Sequence, residues 1–257
     1  MNSGSLRVAA VQMECSGSLG EIEDRALKMI RKAARLGADI ACLPEHWSPE
    51  VIENPAEFLS LFEEAARDSK IHLISGGDFI REGGSTYVES FFIGPNGLLG
   101  TQRKVHLFGR EKRKAKPGSE YPIFRAAGSK VGIAICHDIV YPEVARILAL
   151  KGAEVIFSPA RIGGSGLYPW RLYILARALE NRIPIVSPNF LSRSQGGSVI
   201  VGIEDVGDGI VYPKVLARAG SHPRLLVADL DLKSARKLRA RRLKARRVET
   251  FSRIAEP

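Results

Sequence analysis

Short apolar runs alternate with helical patterns along the first third of this chain. The run Leu6–Met13 is almost entirely apolar and predicts a buried strand. In the next segment, Glu21–Leu36, apolar residues recur at helical spacing, and Gly37 provides a stop signal. Three more elements of these two kinds are predicted: a strand over Asp39–Leu43, a helix over residues 56–68 and a strand over Ile71–Gly76. This alternation is typical of an α/β protein.

The pattern changes after residue 86, where strands flank tight turns. Tyr87–Gly94 and Leu98–Lys104 are separated by Pro95-Asn96-Gly97, in which the Asn-Gly pair supplies the positive φ angles of a hairpin turn. Ile123–Arg125 and Lys130–Ile135 form a second candidate pair around a glycine. The remaining predictions are helices over Pro142–Lys151, Tyr168–Asn181 and Leu232–Arg247, and strands over Val155–Ser158, Ile183–Pro188, Ser198–Ile203, Gly209–Leu216 and Arg224–Leu230. Helices combined with hairpins predict an α/β fold with mixed sheets. Since no Pro- or Gly-rich linker divides the chain, we expect one domain over residues 1–257.

Composition narrows the class of protein. The chain has 257 residues, of which 45% are hydrophobic and 26% charged, as in ordinary globular proteins, which excludes disordered and collagen-like classes. No apolar run approaches about 18 residues, so we expect neither a transmembrane helix nor a membrane partner. Residues 1–13 lack the pattern of a secretory signal. The cysteines, Cys15, Cys42 and Cys136, are few and widely spaced, which argues against a disulfide framework and favours the reducing cytoplasm.

The net charge of +10 comes almost entirely from one segment. Residues 233–247 contain nine Lys or Arg residues and no acid, and the rest of the chain holds 29 basic and 28 acidic residues. Such a run can bind phosphates. It is equally typical of a solvated helix face, on which Leu238 and Leu243 would contact the body of the protein. We favour the solvated helix, and with it a role in surface solvation or subunit contact.

Polar residues follow three of the predicted strands, in the segments 43–46, 103–108 and 133–138. A strand, a sharp turn and a helix place Cys136 at an elbow, where backbone N–H groups and a helix N-terminus favour an anion and lower the pKa of the thiol. Taken singly, each candidate has a structural alternative. Cys136 is equally interpreted as a small buried apolar residue, Glu45 as a helix cap and Lys104 as a surface lysine.

Together, the three segments resemble motifs of the nitrilase superfamily of carbon–nitrogen hydrolases, which carry a Glu-Lys-Cys triad. The matching segments are LPE ending at Glu45, RKVHLFGRE around Lys104 and ICHDIVYPE around Cys136, separated by 59 and 32 residues. The similarity extends to VAAVQM, KPG, ALKGAEVIFSPA and ALENRIPIV, at residues 8–13, 116–118, 149–160 and 178–186. It therefore covers most of the chain.

The resemblance implies a fold and a reaction. The fold is a four-layer α-β-β-α sandwich with two mixed β-sheets, in which residues 233–257 form a terminal basic helix and a C-terminal arm. Such proteins associate at least as homodimers. The implied reaction is hydrolysis of a non-peptide carbon–nitrogen bond, most simply that of a linear amide, through a thioester on Cys136. Glu45 acts as the base, and Lys104 with the backbone N–H of His137 stabilises the oxyanion. A nitrile or an N-carbamoyl compound is an alternative substrate.

Three further residues join the candidate site. Glu111, seven residues after Lys104, corresponds to the second glutamate of the family, which positions the lysine or the substrate; alternatively it is a salt-bridged surface acid. Glu143 also matches a family position, although an acid there stabilises a helix N-terminus in any case. Arg161 stands where relatives often have Asn or Trp, and Val140 where many have Arg. Arg161 either faces the pocket and favours an acidic substrate, or belongs to a structural ion pair.

The pattern of histidines and cysteines does not match a metal site, since neither HExxH nor CxxC occurs. We therefore expect no metal and no cofactor. Two other functions remain open. One is a nucleic-acid-binding or interaction protein with a vestigial triad, supported only by the basic segment, and we do not expect nucleic acid as a partner. The other is a thiol enzyme in which Cys136 works with a histidine.

Overall fold

The computed structural model describes residues 4–191 and 196–251, whose strands form two sheets. The first sheet contains seven strands: β1 (Ser5–Gln12), β2 (Ile40–Cys42), β3 (His72–Ile74), β4 (Asp78–Glu82), β5 (Ser85–Gly94), β6 (Gly97–Arg103) and β13 (Arg224–Asp231). The second contains six: β7 (Ile123–Ala126), β8 (Ser129–Ile133), β9 (Val155–Phe157), β10 (Ile185–Ser187), β11 (Val199–Gly207) and β12 (Ile210–Arg218). The strand orders are β13-β1-β2-β3-β5-β4, with β6 also paired to β5, and β12-β11-β10-β9-β8-β7.

Both sheets are mixed. The pairs β1–β2, β2–β3, β8–β9 and β9–β10 are parallel, whereas the outer pairs are antiparallel. The helices are α1 (Leu19–Arg35), α2 (Pro55–Ser69), α3 (Glu111–Lys114), α4 (Pro142–Leu150), α5 (Leu167–Asn181) and α6 (Leu232–Lys244). Short 3-10 turns cover Cys136–Val140, Gly164–Gly166 and Val248–Thr250. Within the described ranges, no helix is both long and apolar enough to cross a membrane.

Alternation along the strands divides the buried residues between two cores. On β1, Val8 and Ala10 belong to the cluster between the two sheets, whereas Ala9 and Val11 point to the opposite face and pack under α1 and α2. The inter-sheet cluster continues through the second sheet to α4 and α5, where Leu148 is fully buried. The layers are therefore α-β-β-α, and the predicted four-layer sandwich is confirmed.

Most predicted elements are confirmed to within a few residues, with three differences. The strand β4 and the short helix α3 were not predicted. The hairpin β5–β6 forms as expected, but of the Asn-Gly pair only Gly97 has a positive φ, of 112°. The turn is therefore not one in which both central residues are left-handed.

The interpretation of residues 233–247 as a solvated helix face with Leu238 on the body of the protein agrees with the structure at Leu238, but the buried side of the helix is wider than expected. One side of α6 packs on the body of the protein and buries Leu232, Ala235 and Leu238. Arg239 lies on the same side and is only 6% exposed. Arg236 forms an ion pair with Glu154, just before β9. The predicted C-terminal arm lies in part outside the described residues, because residues 252–257 are not described.

Candidate active site

The candidate site forms where strands of the two facing sheets end. Glu45 follows β2, and its backbone N–H donates to the carbonyl of Ala160, 3.3 Å away, after β9. The N–H of Cys136, after β8, donates to the carbonyl of Pro159 at 2.8 Å. Carboxyl ends of parallel strands are where open α/β sheets place their ligand sites. The first bond crosses between the two sheets and the second lies within the second sheet, so the segment after β9 connects the glutamate and cysteine loops.

The cysteine lies at the predicted elbow. Cys136 has a φ of 45°, in the left-handed region that costs a non-glycine residue about 1–2 kcal/mol. Asp138, which is fully buried, stabilises this turn: its Oδ2 accepts the N–H of Ile135 at 3.2 Å. The Oδ1 of Asp138 accepts the N–H of His106 at 2.8 Å and the hydroxyl of Tyr121 at 3.0 Å. One carboxylate therefore connects the cysteine loop to the lysine loop.

The predicted catalytic side chains meet in a buried hydrogen-bonded group. Lys104 Nζ donates to Glu45 Oε1 at 2.7 Å and to Glu111 Oε1 at 2.8 Å, and all three residues are buried. The Cys136 side chain lines the same pocket as Glu45 and Lys104, and the Glu45 carboxylate is close enough to influence the pKa of its thiol. Glu111 is therefore a buried partner of the lysine, and the alternative of a surface acid is wrong.

Charge in this group is fixed by mutual contact. Burial opposes the charge of Lys104, but Glu45, Cys136 and Glu111 outweigh it and raise the pKa of the lysine. Burial likewise favours the neutral acid at Glu111, but hydrogen bonds from His46 and Lys104 lower its pKa to about 2. At neutral pH the site therefore holds an ammonium bonded to carboxylates.

The expectation of an acidified thiol at Cys136 is wrong. Burial and the neighbouring Glu45 carboxylate raise the pKa of Cys136 above its ordinary value, although Lys104 and the N–H of Arg161 act in the other direction. The resting thiol of Cys136 is therefore neutral, and any reaction through its sulfur would require a base beside it.

A pocket of about 580 Å³ opens onto these groups. Its walls include apolar and aromatic side chains, among them Phe108, Val140, Ile162, Trp170 and Tyr173. Two guanidinium groups, those of Arg110 and Arg161, also line it. Arg161 Nη1 donates to the carbonyl of His46 at 3.1 Å, and its guanidinium lies over the ring of Phe190. Among the described residues, no carboxylate lies within ion-pair distance of either arginine, so the structural ion pair considered for Arg161 does not form.

Two predicted residues take different positions. His137 lines the pocket, and its ring packs against Phe108, with 4.7 Å between centroids, and against Tyr141. Burial and the nearby charge of Lys104 lower the pKa of His137, which favours the neutral imidazole. Glu143 is exposed in the first turn of α4 and lines a separate groove, so the structure does not bring it to the pocket.

Sequence reasoning missed the role of His46. Its Nε2 lies 2.8 Å from Glu111 Oε1, so it must donate a proton to that carboxylate, and its ring stacks on Phe79. His46 also has a left-handed φ of 47°. Its position directly after Glu45 was the available signal, because it places His46 in the same loop at the end of β2. Asp138 and Arg110 were likewise visible in the motifs but were not singled out.

Glu45, His46 and Glu111 place one donor atom each within 4.8 Å of one another, a spacing compatible with a metal ion. Lys104 Nζ already hydrogen-bonds to both carboxylates. A metal cation there would be repelled by the ammonium and would have to compete for the same oxygen atoms. The arrangement favours a lysine-neutralised pair of acids, and the absence of a metal stays a prediction.

The fold and the pocket correspond to a class of hydrolases in which two facing sheets hold a cysteine at the pocket. Comparison with known proteins identifies the family. The sequence profile of the carbon-nitrogen hydrolase family matches residues 7–240, and the chain belongs to this family. It is an enzyme of the nitrilase superfamily that acts on carbon–nitrogen bonds other than peptide bonds, as the sequence motifs predicted.

Individual relatives point to amidases. Omega-amidase NIT2 of Mus musculus is 29% identical over 270 residues, covering 96% of this chain and 97% of the relative. A crystal structure of the carbon-nitrogen hydrolase from Helicobacter pylori G27 superimposes with a TM-score of 0.86 at 21% identity, over 100% of both chains. A mutant amidase from Nesterenkonia sp. AN1 is 25% identical, with a TM-score of 0.79 over 97% of both chains. In that amidase the acetamide moiety of fluoroacetamide is covalently added at the active-site cysteine.

Proposed function

We propose that this enzyme hydrolyses a linear amide through a thioester on Cys136, with Glu45 and Lys104 completing a catalytic triad. The observation that carries the proposal is the buried group in which Lys104 bonds both Glu45 and Glu111 beside the cysteine. An amide has a weak electrophilic carbon and a poor leaving group. It therefore needs a nucleophile, a proton donor and a fixed positive charge, and this site holds all three.

In the first half-reaction, Glu45 accepts the thiol proton as Cys136 Sγ bonds to the amide carbon. The raised pKa of the thiol makes this base necessary. Glu45 then gives the proton to the nitrogen, the carbon–nitrogen bond breaks, and ammonia or an amine leaves. In the second half-reaction, Glu45 takes a proton from water, whose oxygen bonds to the thioester carbon. The carbon–sulfur bond breaks, and the proton returns to sulfur.

Lys104 has the electrostatic role. Its ammonium faces the developing oxyanion, with the backbone N–H of His137 as the second donor, and its raised pKa keeps it charged throughout. Glu111 is a positioning residue: it accepts from Lys104, from His46 and from the N–H of Phe108. With three donors on one carboxylate, the direction of the lysine is fixed before the substrate arrives.

We propose further that the substrate carries a carboxylate at the end opposite its amide. Arg110 and Arg161 line a largely apolar pocket without a carboxylate partner among the described residues. Burial and the like charge of Arg110 lower the pKa of Arg161, and a bound carboxylate would offset the repulsion between the two arginines. The omega-amidase names of the relatives point to the same terminal type of amide. Arg161 is thus a candidate substrate-binding residue, and Glu143 has at most an indirect structural role.

The test is an ammonia-release assay on the monoamide of a four-carbon dicarboxylic acid. Its controls are the uncharged amide of equal length, the matching nitrile and an N-carbamoyl compound. We expect Cys136→Ala to abolish turnover, and the control Cys15→Ser to retain it. Lys104→Met should lower kcat by at least about 10²–10³-fold, the effect of losing an oxyanion donor. Arg161→Gln should raise KM for the charged amide and leave the uncharged one unchanged.

The outcomes separate the alternatives. Faster turnover of the nitrile or the N-carbamoyl compound would transfer the assignment to those substrates. Full activity in both Lys104→Met and Glu45→Gln would favour a cysteine–histidine enzyme. No turnover and no thioester by intact mass measurement, together with salt-sensitive DNA binding, would favour the interaction protein with a vestigial triad.

We also propose that the enzyme is at least a homodimer and acts in the cytoplasm. Large apolar side chains are exposed on α4 and α5, the helices that cover the second sheet: Ile147, Leu150, Leu172 and Tyr173. Family resemblance predicts association through such helix faces. The three cysteines are unpaired in the structure, which is compatible with a reducing compartment.

A further inference from the structure

A second cavity, of about 310 Å³, lies where α6 crosses the end of the β7–β8 hairpin. It shares no lining residue with the pocket around Cys136. Its charged lining consists of Arg125, Lys130, Arg236, Arg239 and Glu154. Among the described residues, four basic side chains from β7, β8 and α6 therefore face one acidic side chain from the loop before β9.

The buried arginine is the unusual member of this group. Arg239 is only 6% exposed, and its Nη1 is buried without a hydrogen-bond partner among the described residues. An incompletely satisfied buried guanidinium is costly, because it loses hydration and gains no replacement donor–acceptor bond. A bound ion or an ordered water that supplies the missing acceptor is one explanation for such a group in a native protein.

The one acid of the cavity is already occupied. Glu154 Oε2 accepts the backbone N–H of Lys130 at 2.9 Å, and its Oε1 accepts Arg236 Nε at 2.6 Å. Arg125 and Lys130 have no ion pair among the described residues, and neither does Arg239. In the described residues Glu154 pairs with none of these three side chains, so the cavity presents an excess of positive charge.

We propose that this cavity binds a small oxyanion of the phosphate class, either free phosphate or the phosphate group of a small metabolite. Phosphate oxygens are acceptors on every side, which suits guanidinium and ammonium donors that converge from β7, β8 and α6. A volume of about 310 Å³ exceeds one phosphate and accommodates a phosphate monoester of modest size. Since the distinguishing donor, Arg239, lies beneath the surface, a compact ligand reaches it more easily than the backbone of a nucleic acid. The basic segment thus contributes to a defined site.

Inorganic phosphate is the first probe, used with the full-length enzyme at constant ionic strength set with sodium chloride. Titration calorimetry should show saturable binding, and thermal unfolding should shift upward as phosphate is added. Arg125→Gln, which removes an exposed lining charge, should weaken binding by roughly tenfold or more. Lys237→Gln and Arg241→Gln remove one charge each from the exposed side of α6 and are the matched controls, so their affinity should equal that of the wild type.

Arg239→Met tests the buried donor. It should abolish the phosphate-induced shift while the variant without phosphate stays folded, since a buried charge replaced by an apolar side chain of similar length is often neutral or stabilising. If this variant does not fold, Arg125→Gln alone decides. The proposal is overturned if phosphate gives no binding beyond chloride, or if Arg125→Gln and Lys237→Gln weaken it equally.

Two further arms identify the source of the phosphate. A sugar phosphate and a nucleoside monophosphate are titrated beside inorganic phosphate, and tighter binding that Arg125→Gln weakens would assign the ligand to that metabolite. Equal affinity for all three would assign it to free phosphate. A duplex oligonucleotide is the last probe. If its affinity falls steeply as salt is raised, is unaffected by Arg125→Gln and is weakened by Lys237→Gln, anion binding lies on the outer face of α6 and the cavity proposal is refuted.

Discussion

Asp78 is a buried carboxyl whose ionisation should destabilise the fold. It opens β4 and is 2% exposed; Oδ1 accepts the N–H of Ser48 at 3.0 Å, and Oδ2 has no partner among the described residues. Burial, with a smaller effect of Glu45, raises its pKa from 3.8 to about 7. The folded protein therefore holds a proton that the unfolded chain releases between about pH 4 and 7. Stability falls as pH rises through this range.

The size of the effect follows from the pKa shift. At about 1.4 kcal/mol per pH unit, ionisation of Asp78 costs about 4 kcal/mol in total, of which about 2–3 kcal/mol develops between pH 5 and pH 8. Asp78→Asn keeps the acceptor for Ser48 and cannot ionise. The variant should therefore gain about 2–3 kcal/mol relative to the wild type between pH 5 and pH 8.

Urea unfolding at the two pH values measures this gain, with the midpoint and the slope fitted separately. Asp24→Asn, which removes a carboxylate from an exposed position on α1, is the control for the same chemical change without burial. The reasoning is refuted if Asp78→Asn differs from the wild type by the same amount at pH 5 and pH 8. It is also refuted if the variant becomes relatively less stable at the higher pH.

Two other predictions concern the support of the site and its assembly. A Cβ on Gly76, at a φ of 93°, would lie 2.0 Å from the carbonyl oxygen of Pro44, so Gly76→Ala should cost about 3 kcal/mol or more and lower amidase activity. Gly83→Ala, with a φ of 53° and open space around it, should cost only about 1 kcal/mol in thermal unfolding. The double variant Ile147→Lys and Leu172→Lys should halve the mass seen by light scattering while circular dichroism is retained. A wild-type mass of one chain would contradict the proposed dimer.

Patterns that depend on neighbouring residues were predictable from the sequence. The hydrophobic run of β1, the periodicity of α1 and the hairpin β5–β6 have local causes, and the structure confirms each. The strand β4 has no such local cause, because its sequence, DFIRE, contains only two apolar residues. Its extended form depends on pairing with β5, where Asp78 lies opposite Glu89.

The same distinction between local and long-range causes applies to the residues of the site. The motifs predicted which residues would approach one another, and Glu45, Lys104 and Glu111 do so. The pKa of the Cys136 thiol was predicted in the wrong direction, because local turn geometry says nothing about burial and a facing carboxylate. The burial of Arg239 could have been predicted from its position in the sequence, but the run of basic residues around it favoured a solvated helix face. Residue 239 continues the spacing of Leu232 and Ala235 on the buried face of α6.

The pairing of β1 with β13 has a consequence for synthesis on the ribosome. Residues 5–12 lie antiparallel to residues 224–231, and the Arg7–Asp229 ion pair joins positions 222 residues apart. At about 5–20 residues per second, a ribosome needs roughly 10–45 s to make the intervening chain. During that time an apolar strand has one hydrogen-bonding edge without its final partner. The nascent enzyme therefore completes its first sheet only after residues 224–231 have been made, and a stall before residue 224 would expose that edge to other chains.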